Sequence, residues 1–196
     1  MKKKIIITGS SGFLGTHLMK QLDHEYNEVF APSSKDLNLL NYDDFRNISD
    51  KFDEIYHLAA WTQAGDFCLK NPGLQWIKNQ QMNTNIIKWW NEHQENSKLI
   101  FIGTSCCYNE YGNHSEENYI SDAPHKSLFT YAFTKKMLLL GAKSCQQQFN
   151  MKWFSPIPST LYGSNYHTDE RQQHFIFDLI RKILSAKKKQ STSTVV

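Results

Sequence analysis

Residues 5–15, Ile5-Ile6-Ile7-Thr8-Gly9-Ser10-Ser11-Gly12-Phe13-Leu14-Gly15, constrain the fold of this chain more than any other segment. The three isoleucines are a β-branched apolar run that stops at a glycine, which is how a short buried strand reads. From there Phe13, Leu14, His17, Leu18, Gln21 and Leu22 recur at helical spacing. Strand, glycine turn, helix is the context of a phosphate-binding loop. Glycines let the backbone approach a pyrophosphate, and the helix N-terminus offers free N–H groups at its positive end. The spacing is Gly-x-x-Gly-x-x-Gly, and a plain strand-to-helix turn is the alternative reading.

The same alternation continues along the chain. Strands are expected at 28–31, 54–60, 98–103 and from 152, the last ended by Pro156 and Pro158. Helices are expected over 73–95, 129–149 and 172–187, the first weakened by its Gln and Asn content. The polar stretch 109–127, with Gly112 and Pro124, reads as a loop. Such alternation predicts an α/β fold with a Rossmann-like doubly wound parallel sheet. Ligands of such sheets bind beyond the strand C-termini where the winding reverses. The ends of the first, fourth and fifth strands are expected to meet there, bringing Gly9, Thr104 and Pro158 together.

Composition excludes several classes. At 196 residues the chain can bury one full core, and a second domain would be cramped. The net charge of +3 owes much to Lys2-Lys3-Lys4 and Lys187-Lys188-Lys189, read as solvated ends with no nucleic-acid role. No stretch is apolar over about 18 residues, so no membrane span is expected, and the N-terminus is not a signal peptide. Cys68, Cys106, Cys107 and Cys145 lack Cys-x-x-Cys spacing, which points to no metal site and to a reducing cytoplasm.

Tyr131 and Lys135 lie four residues apart on the helix expected over 129–149, on one face. A lysine charge beside a phenol lowers its pKa from about 10, tuning the pair for proton transfer at a carbinol oxygen. For the adenosine end, Ser33, Ser34 and Lys35 follow the second strand before Asp36. Hydroxyls and an ammonium there favour a 2′-phosphate, hence NADP, whereas a solvated Lys35 with Asp36 on the ribose would mean NAD.

Gly9, Gly12 and Gly15, His57-Leu58-Ala59-Ala60, a Thr/Ser cluster after the fourth strand and Tyr131-x-x-x-Lys135 together resemble the extended short-chain dehydrogenase/reductase family of nucleotide-sugar epimerases and dehydratases. Within it, residues 33–39, 103–108 and 158–163 and His174 are most similar to the GDP-L-fucose synthases. The resemblance implies a cofactor site of Gly9, Ser11, Gly12, Phe13, Leu14, Gly15, Ser33, Ser34, Lys35, Leu58, Ala59, Ala60, Tyr131, Lys135 and Pro158. It implies that Thr104 hydrogen-bonds the substrate oxygen, Tyr131 is the acid/base, and Lys135 holds the nicotinamide ribose. Cys106 and His174 would exchange protons at carbons beside a sugar ketone; otherwise Cys106 is a small buried hydrophobe and His174 a helix-surface residue. His57 reads as structural.

The chain departs from the family pattern at Thr160, Ser164 and the glycine loop, where Ser10 and Ser11 stand in place of an arginine. Family members are longer, so residues 1–164 are expected to form the dinucleotide-binding domain and 165–196 to begin a substrate lobe that is largely missing. The expected activity is NADP-dependent epimerisation and reduction of a nucleotide-linked 4-keto-6-deoxy sugar. The alternatives are a UDP- or dTDP-sugar 4-epimerase or 4,6-dehydratase, or a non-catalytic dinucleotide-binding module. A homodimer is expected through the helices at 75–95 and 129–149, with Trp89, Trp90, Leu138, Leu139 and Leu140 supplying the apolar face.

Overall fold

The computed structural model describes residues 2–22, 24–63, 66–164 and 175–193. Five parallel strands form one sheet in the order β2-β1-β3-β4-β5: β1 Lys3–Thr8, β2 Asn27–Phe30, β3 Glu54–His57, β4 Lys98–Phe101 and β5 Lys152–Phe154. Parallel strands need crossovers. These contain α1 Phe13–Gln21, α2 Tyr42–Phe45, α3 Phe67–Lys70, α4 Pro72–His93, α5 Asn118–Ser121 and α6 Phe129–Phe149; α7 Phe175–Ser193 follows the last strand. The fold is the α/β Rossmann-like parallel sheet that the alternation of elements implies.

The chain steps from β1 to β2 on one side, then crosses to β3 on the other, so the winding reverses between β1 and β3. That reversal marks the ligand-binding end of the sheet. β3 stands between β1 and β4, so Gly9 and Thr104 follow strands that are not neighbours. Gly9 abuts Ala59, and Gly103 instead donates to the Pro156 carbonyl at 2.9 Å. β3 is also shorter than 54–60. Its neighbours end at Thr8 and Phe101, so after Leu58 N–H takes the Thr8 carbonyl at 3.1 Å no ladder remains to join.

Ile6, Ile55, Leu99 and Phe101 of the sheet pack with Ile86, Trp89 and Trp90 of α4 and Leu138 of α6. Trp89, Trp90, Leu138 and Leu139 are buried, so the apolar surface expected of them is core, and of that set only Leu140 is exposed. The reason is that α4 and α6 bury one face against the sheet and another against each other. A Cβ on Gly141 would come within 2.5 Å of Ile87 Cδ1. The exposed large apolar side chains of this pair are instead Leu74, Trp76, Ile77, Phe129, Met137, Leu140 and Phe149.

The amides that weaken α4 as a helix are used in packing. Asn79 clamps Trp61, accepting from its N–H at 2.8 Å and donating to its carbonyl at 3.0 Å. Asn85 donates to Leu39 O at 2.8 Å. Tertiary hydrogen bonds thus outweigh intrinsic propensity. α6 ends at Asn150, which takes the left-handed conformation at φ 57. The single-turn helices α2, α3 and α5 carry no periodic signal, and α5 lies inside the stretch expected to be loop. Lys3 and Lys4 belong to β1 and pair with Glu54 at 2.7 Å and Asp50 at 3.4 Å. No helix among the described residues is long and apolar enough to cross a membrane.

Candidate active site

The turn after β1 is fixed by close backbone approach. Gly9 has φ +74, and a Cβ there would sit 2.6 Å from Ala59 N and 2.8 Å from Ala59 Cα. Gly15 is similarly confined, its added Cβ falling 2.3 Å from Gly9 O. Neither neighbour is a flexible side chain, so both positions exclude any larger residue. Gly12 N–H donates to Gly9 O at 3.1 Å, and Gly12 caps α1 without a side chain over its first N–H groups. Ser11 is exposed and Phe13 and Leu14 half-buried at this mouth, with Leu58, Ala59 and Ala60 forming its other lip.

Beneath this turn runs a buried polar chain. Thr8 Oγ1 meets His57 Nδ1 at 2.9 Å, and His57 Nε2 meets Asn83 Oδ1 at 3.2 Å. Asn83 Nδ2 then donates to Thr134 O at 3.1 Å. With Nε2 donating to the amide oxygen, His57 is neutral and accepts at Nδ1 from the threonine hydroxyl. Burial, with the Lys135 charge second, holds its pKa down to about 4. His57 is therefore a structural link from β1 and β3 through α4 to α6. The sequence reading missed Asn83. Its signal was a polar stripe, Gln75, Asn79 and Asn83, at helical spacing on a buried face.

That link sets the face of α6 bearing Tyr131 and Lys135. Lys135 Nζ lies 5.9 Å from the Tyr131 ring centroid. Lys135 is 8% exposed and has no hydrogen-bond partner among the described residues. Burial lowers its pKa to about 8, only partly offset by the Cys107 thiol. Tyr131 was expected to be shifted down by this ammonium. It is shifted up, because burial dominates, with nearby Cys106, Cys68 and Cys107 adding in the same direction.

Thr104 follows β4 and caps the 3-10 turn Ser105–Cys107, its Oγ1 accepting from Cys106 N–H at 3.3 Å. This turn packs against α6, and Cys107 Sγ donates to Ala132 O at 3.4 Å, next to Tyr131. Thr104, Cys106, Tyr131 and Lys135 therefore share one corner. Cys106 is half-buried, whereas Cys68, Cys107 and Cys145 are buried, and all four are free thiols. Pro158 follows β5, and the Ser164 carbonyl beyond it accepts from His17 Nε2, 2.8 Å away on α1. His174 lies outside the described residues.

At the far end, Ser33, Ser34 and Lys35 are exposed. Ser33 is already engaged: its hydroxyl donates to Asp36 Oδ2 at 2.6 Å and its N–H to the same oxygen at 3.2 Å. Among the described residues, Ser34 and the Lys35 ammonium carry no such tie. Among the described residues no group of three His, Cys, Asp or Glu side chains could hold a metal ion.

A model of the NAD dependent epimerase/dehydratase family matches residues 5–195. Curated relatives include a GDP-L-colitose synthase of Yersinia pseudotuberculosis, 26% identical over 93% of this chain and 61% of its own length. A GDP-L-fucose synthase of Escherichia coli is 26% identical over 100% of this chain and 62% of its own. The chain thus spans about three-fifths of these relatives. Among solved structures, a Campylobacter jejuni GDP-D-glycero-L-gluco-heptose synthase in the presence of NADPH superposes at TM-score 0.81 and 20% identity, over 92% of this chain and 54% of that one. A Naegleria fowleri GDP-L-fucose synthetase bound to NADP does so at 0.75 and 23%, over 96% and 59%.

Proposed function

Because the chain belongs to the NAD dependent epimerase/dehydratase family, we propose that it is the cofactor-binding and catalytic part of an NADP-dependent epimerase/reductase of a nucleotide-linked 4-keto-6-deoxy sugar, with a GDP-sugar preferred. Residues 1–164 would bind the dinucleotide and 165–196 would begin the substrate lobe. The observation that carries the reading is Lys135: a buried ammonium beside Tyr131, with no hydrogen-bond partner among the described residues, needs hydroxyls to accept its hydrogen bonds. A ribose supplies them. The glycine turn fits the same ligand, since added Cβ atoms at Gly9 and Gly15 would collide with backbone. The curated relatives named above act on GDP-sugars by name, which favours that substrate class over the UDP- and dTDP-sugar alternatives.

In this reading the bound cofactor supplies a hydride to the ketone carbon. Thr104 hydrogen-bonds the ketone oxygen and Tyr131 gives that oxygen a proton. Its upward-shifted pKa keeps the phenol protonated at neutral pH. Lys135 fixes the nicotinamide ribose and places positive charge beside the forming alkoxide. Cys106 and His174 move protons on opposite faces of the carbons flanking the ketone, which that carbonyl acidifies. Ser34 and Lys35 offer a hydroxyl and an exposed ammonium to a 2′-phosphate, and Ser33 contributes by holding Asp36 in the turn. The apolar groove of Pro72, Trp76, Ile77, Phe129 and Phe133 at the start of α4 and α6 would pair two copies.

Fluorescence titration with NADPH and NADH tests the cofactor assignment: tighter NADPH binding is expected, and equal or tighter NADH binding refutes it. Tyr131→Phe should bind NADPH like the wild type while abolishing sugar reduction. Cys106→Ser should slow solvent-deuterium entry beside the ketone. Exchange at the wild-type rate would favour a plain epimerase or dehydratase.

A further inference from the structure

Tyr119 is 1% exposed, under the corner where Thr104, Cys106 and Tyr131 meet. Its hydroxyl accepts from Thr104 N–H at 3.2 Å. The Cys107 thiol lies close enough to this phenol to perturb it. Cys107 S–H in turn donates to Ala132 O at 3.4 Å. Two bonds thus tie this corner together: Thr104 N–H to the Tyr119 oxygen and Cys107 S–H to the Ala132 carbonyl. The first begins at the residue capping the turn that carries Cys106, and the second ends one residue past Tyr131.

The surroundings are shaped for that phenol. A Cβ on Gly103 would lie 3.1 Å from the Tyr119 hydroxyl, so the glycine admits the ring tip to the end of β4. The Tyr108 ring meets it edge-on at 5.6 Å. Lys136, one residue after Lys135, donates to Ile120 O at 3.1 Å and also to Asp122 O, tying the segment that carries Tyr119 to α6.

We propose that Tyr119 is a positioning residue for the reaction: its hydroxyl sets the separation of the Thr104 hydroxyl and Cys106 thiol from the Tyr131 phenol. The inference rests on the function proposed above, and it explains why a tyrosine and a cysteine with no access to substrate occupy this place. Removing the hydroxyl leaves the buried Thr104 N–H without its acceptor, and the 104–107 turn then opens more often.

The reactivity of Cys106, the one half-buried thiol, reads this opening. Its alkylation by iodoacetamide is followed by peptide mass spectrometry from pH 6 to about 9, a range over which an ordinary thiol gains thiolate, with buried Cys68 and Cys145 as internal controls. Tyr119→Phe and Cys107→Ala should each speed Cys106 alkylation about fivefold, the effect of one lost hydrogen bond. Cys107→Ser, which restores a donor and an acceptor, should stay near the wild-type rate. Wild-type alkylation in Tyr119→Phe, or an equal rise at Cys68 and Cys145, overturns the proposal. If Tyr119→Phe does not fold, the contrast between Cys107→Ala and Cys107→Ser decides, and equal rates in those two refute it. NADPH titration of the same proteins separates the two ideas: a wild type that binds no NADPH defeats the proposed function, while the alkylation contrast still judges the strut.

Discussion

Replacing Lys135 with methionine should stabilise the chain by about 3 kcal/mol at pH 7 while weakening cofactor binding. Burial holds the folded-state pKa of this ammonium at about 8, against an ordinary value of 10.5. At 1.36 kcal/mol per pKa unit, that gap amounts to roughly 3 kcal/mol. Below pH 8 the lysine is protonated in both folded and unfolded chains, so the folded chain carries the whole penalty. As pH rises from 8 to 10.5 the folded chain loses its proton first, the unfolded chain binds more protons, and wild-type stability climbs. Methionine fills a similar volume and has nothing to titrate. The advantage of the variant should therefore be full at pH 7 and nearly gone by pH 10.5. Urea unfolding followed by tryptophan fluorescence measures it. With a slope of about 2 kcal/mol/M, the midpoint should rise by roughly 1.5 M at pH 7. A variant no more stable than the wild type at pH 7, or an advantage that does not shrink with pH, would falsify the claim that Lys135 is a strained group held for a ligand.

His57 makes the opposite end of the pH range informative. Its folded pKa of about 4 lies below the ordinary 6.5, so its contribution is intact above 6.5 and is lost as pH falls toward 4, by roughly 3 kcal/mol in all. Urea midpoints at neutral and acid pH, compared with those of His57→Gln, isolate this loss, and an identical pH slope in the two proteins rules it out. The exposed apolar residues of α4 and α6 predict self-association: sedimentation equilibrium should show dimers that Ile77→Glu with Leu140→Glu converts to monomers. A wild type that stays monomeric at high concentration excludes this face as an interface.

The sequence alone determined the class of fold and the location of its two chemical motifs. Ile5-Ile6-Ile7 before Gly9, and Tyr131 four residues before Lys135, are local patterns, and local geometry suffices to turn them into a strand, a tight turn and a helical face. The strands at 152–154 and the helix at 129–149 were legible for the same reason, and α4 emerged despite its amides. Tertiary structure decided the rest. Which strands neighbour β1 is a matter of crossover, so only the fold showed that Ala59, and not Thr104, faces Gly9. Whether Trp89 and Trp90 meet solvent depends on what covers them, and the packing of the sheet made them core. The direction of the Tyr131 shift likewise depended on burial, which periodicity cannot report. Desolvation outweighed a lysine charge that the spacing had correctly placed nearby. The bonds from Thr104 to Tyr119 and from Cys107 to Ala132 join segments far apart in sequence. Hydrogen bonds of that kind leave no periodic trace, because they are selected by distance in space and not along the chain.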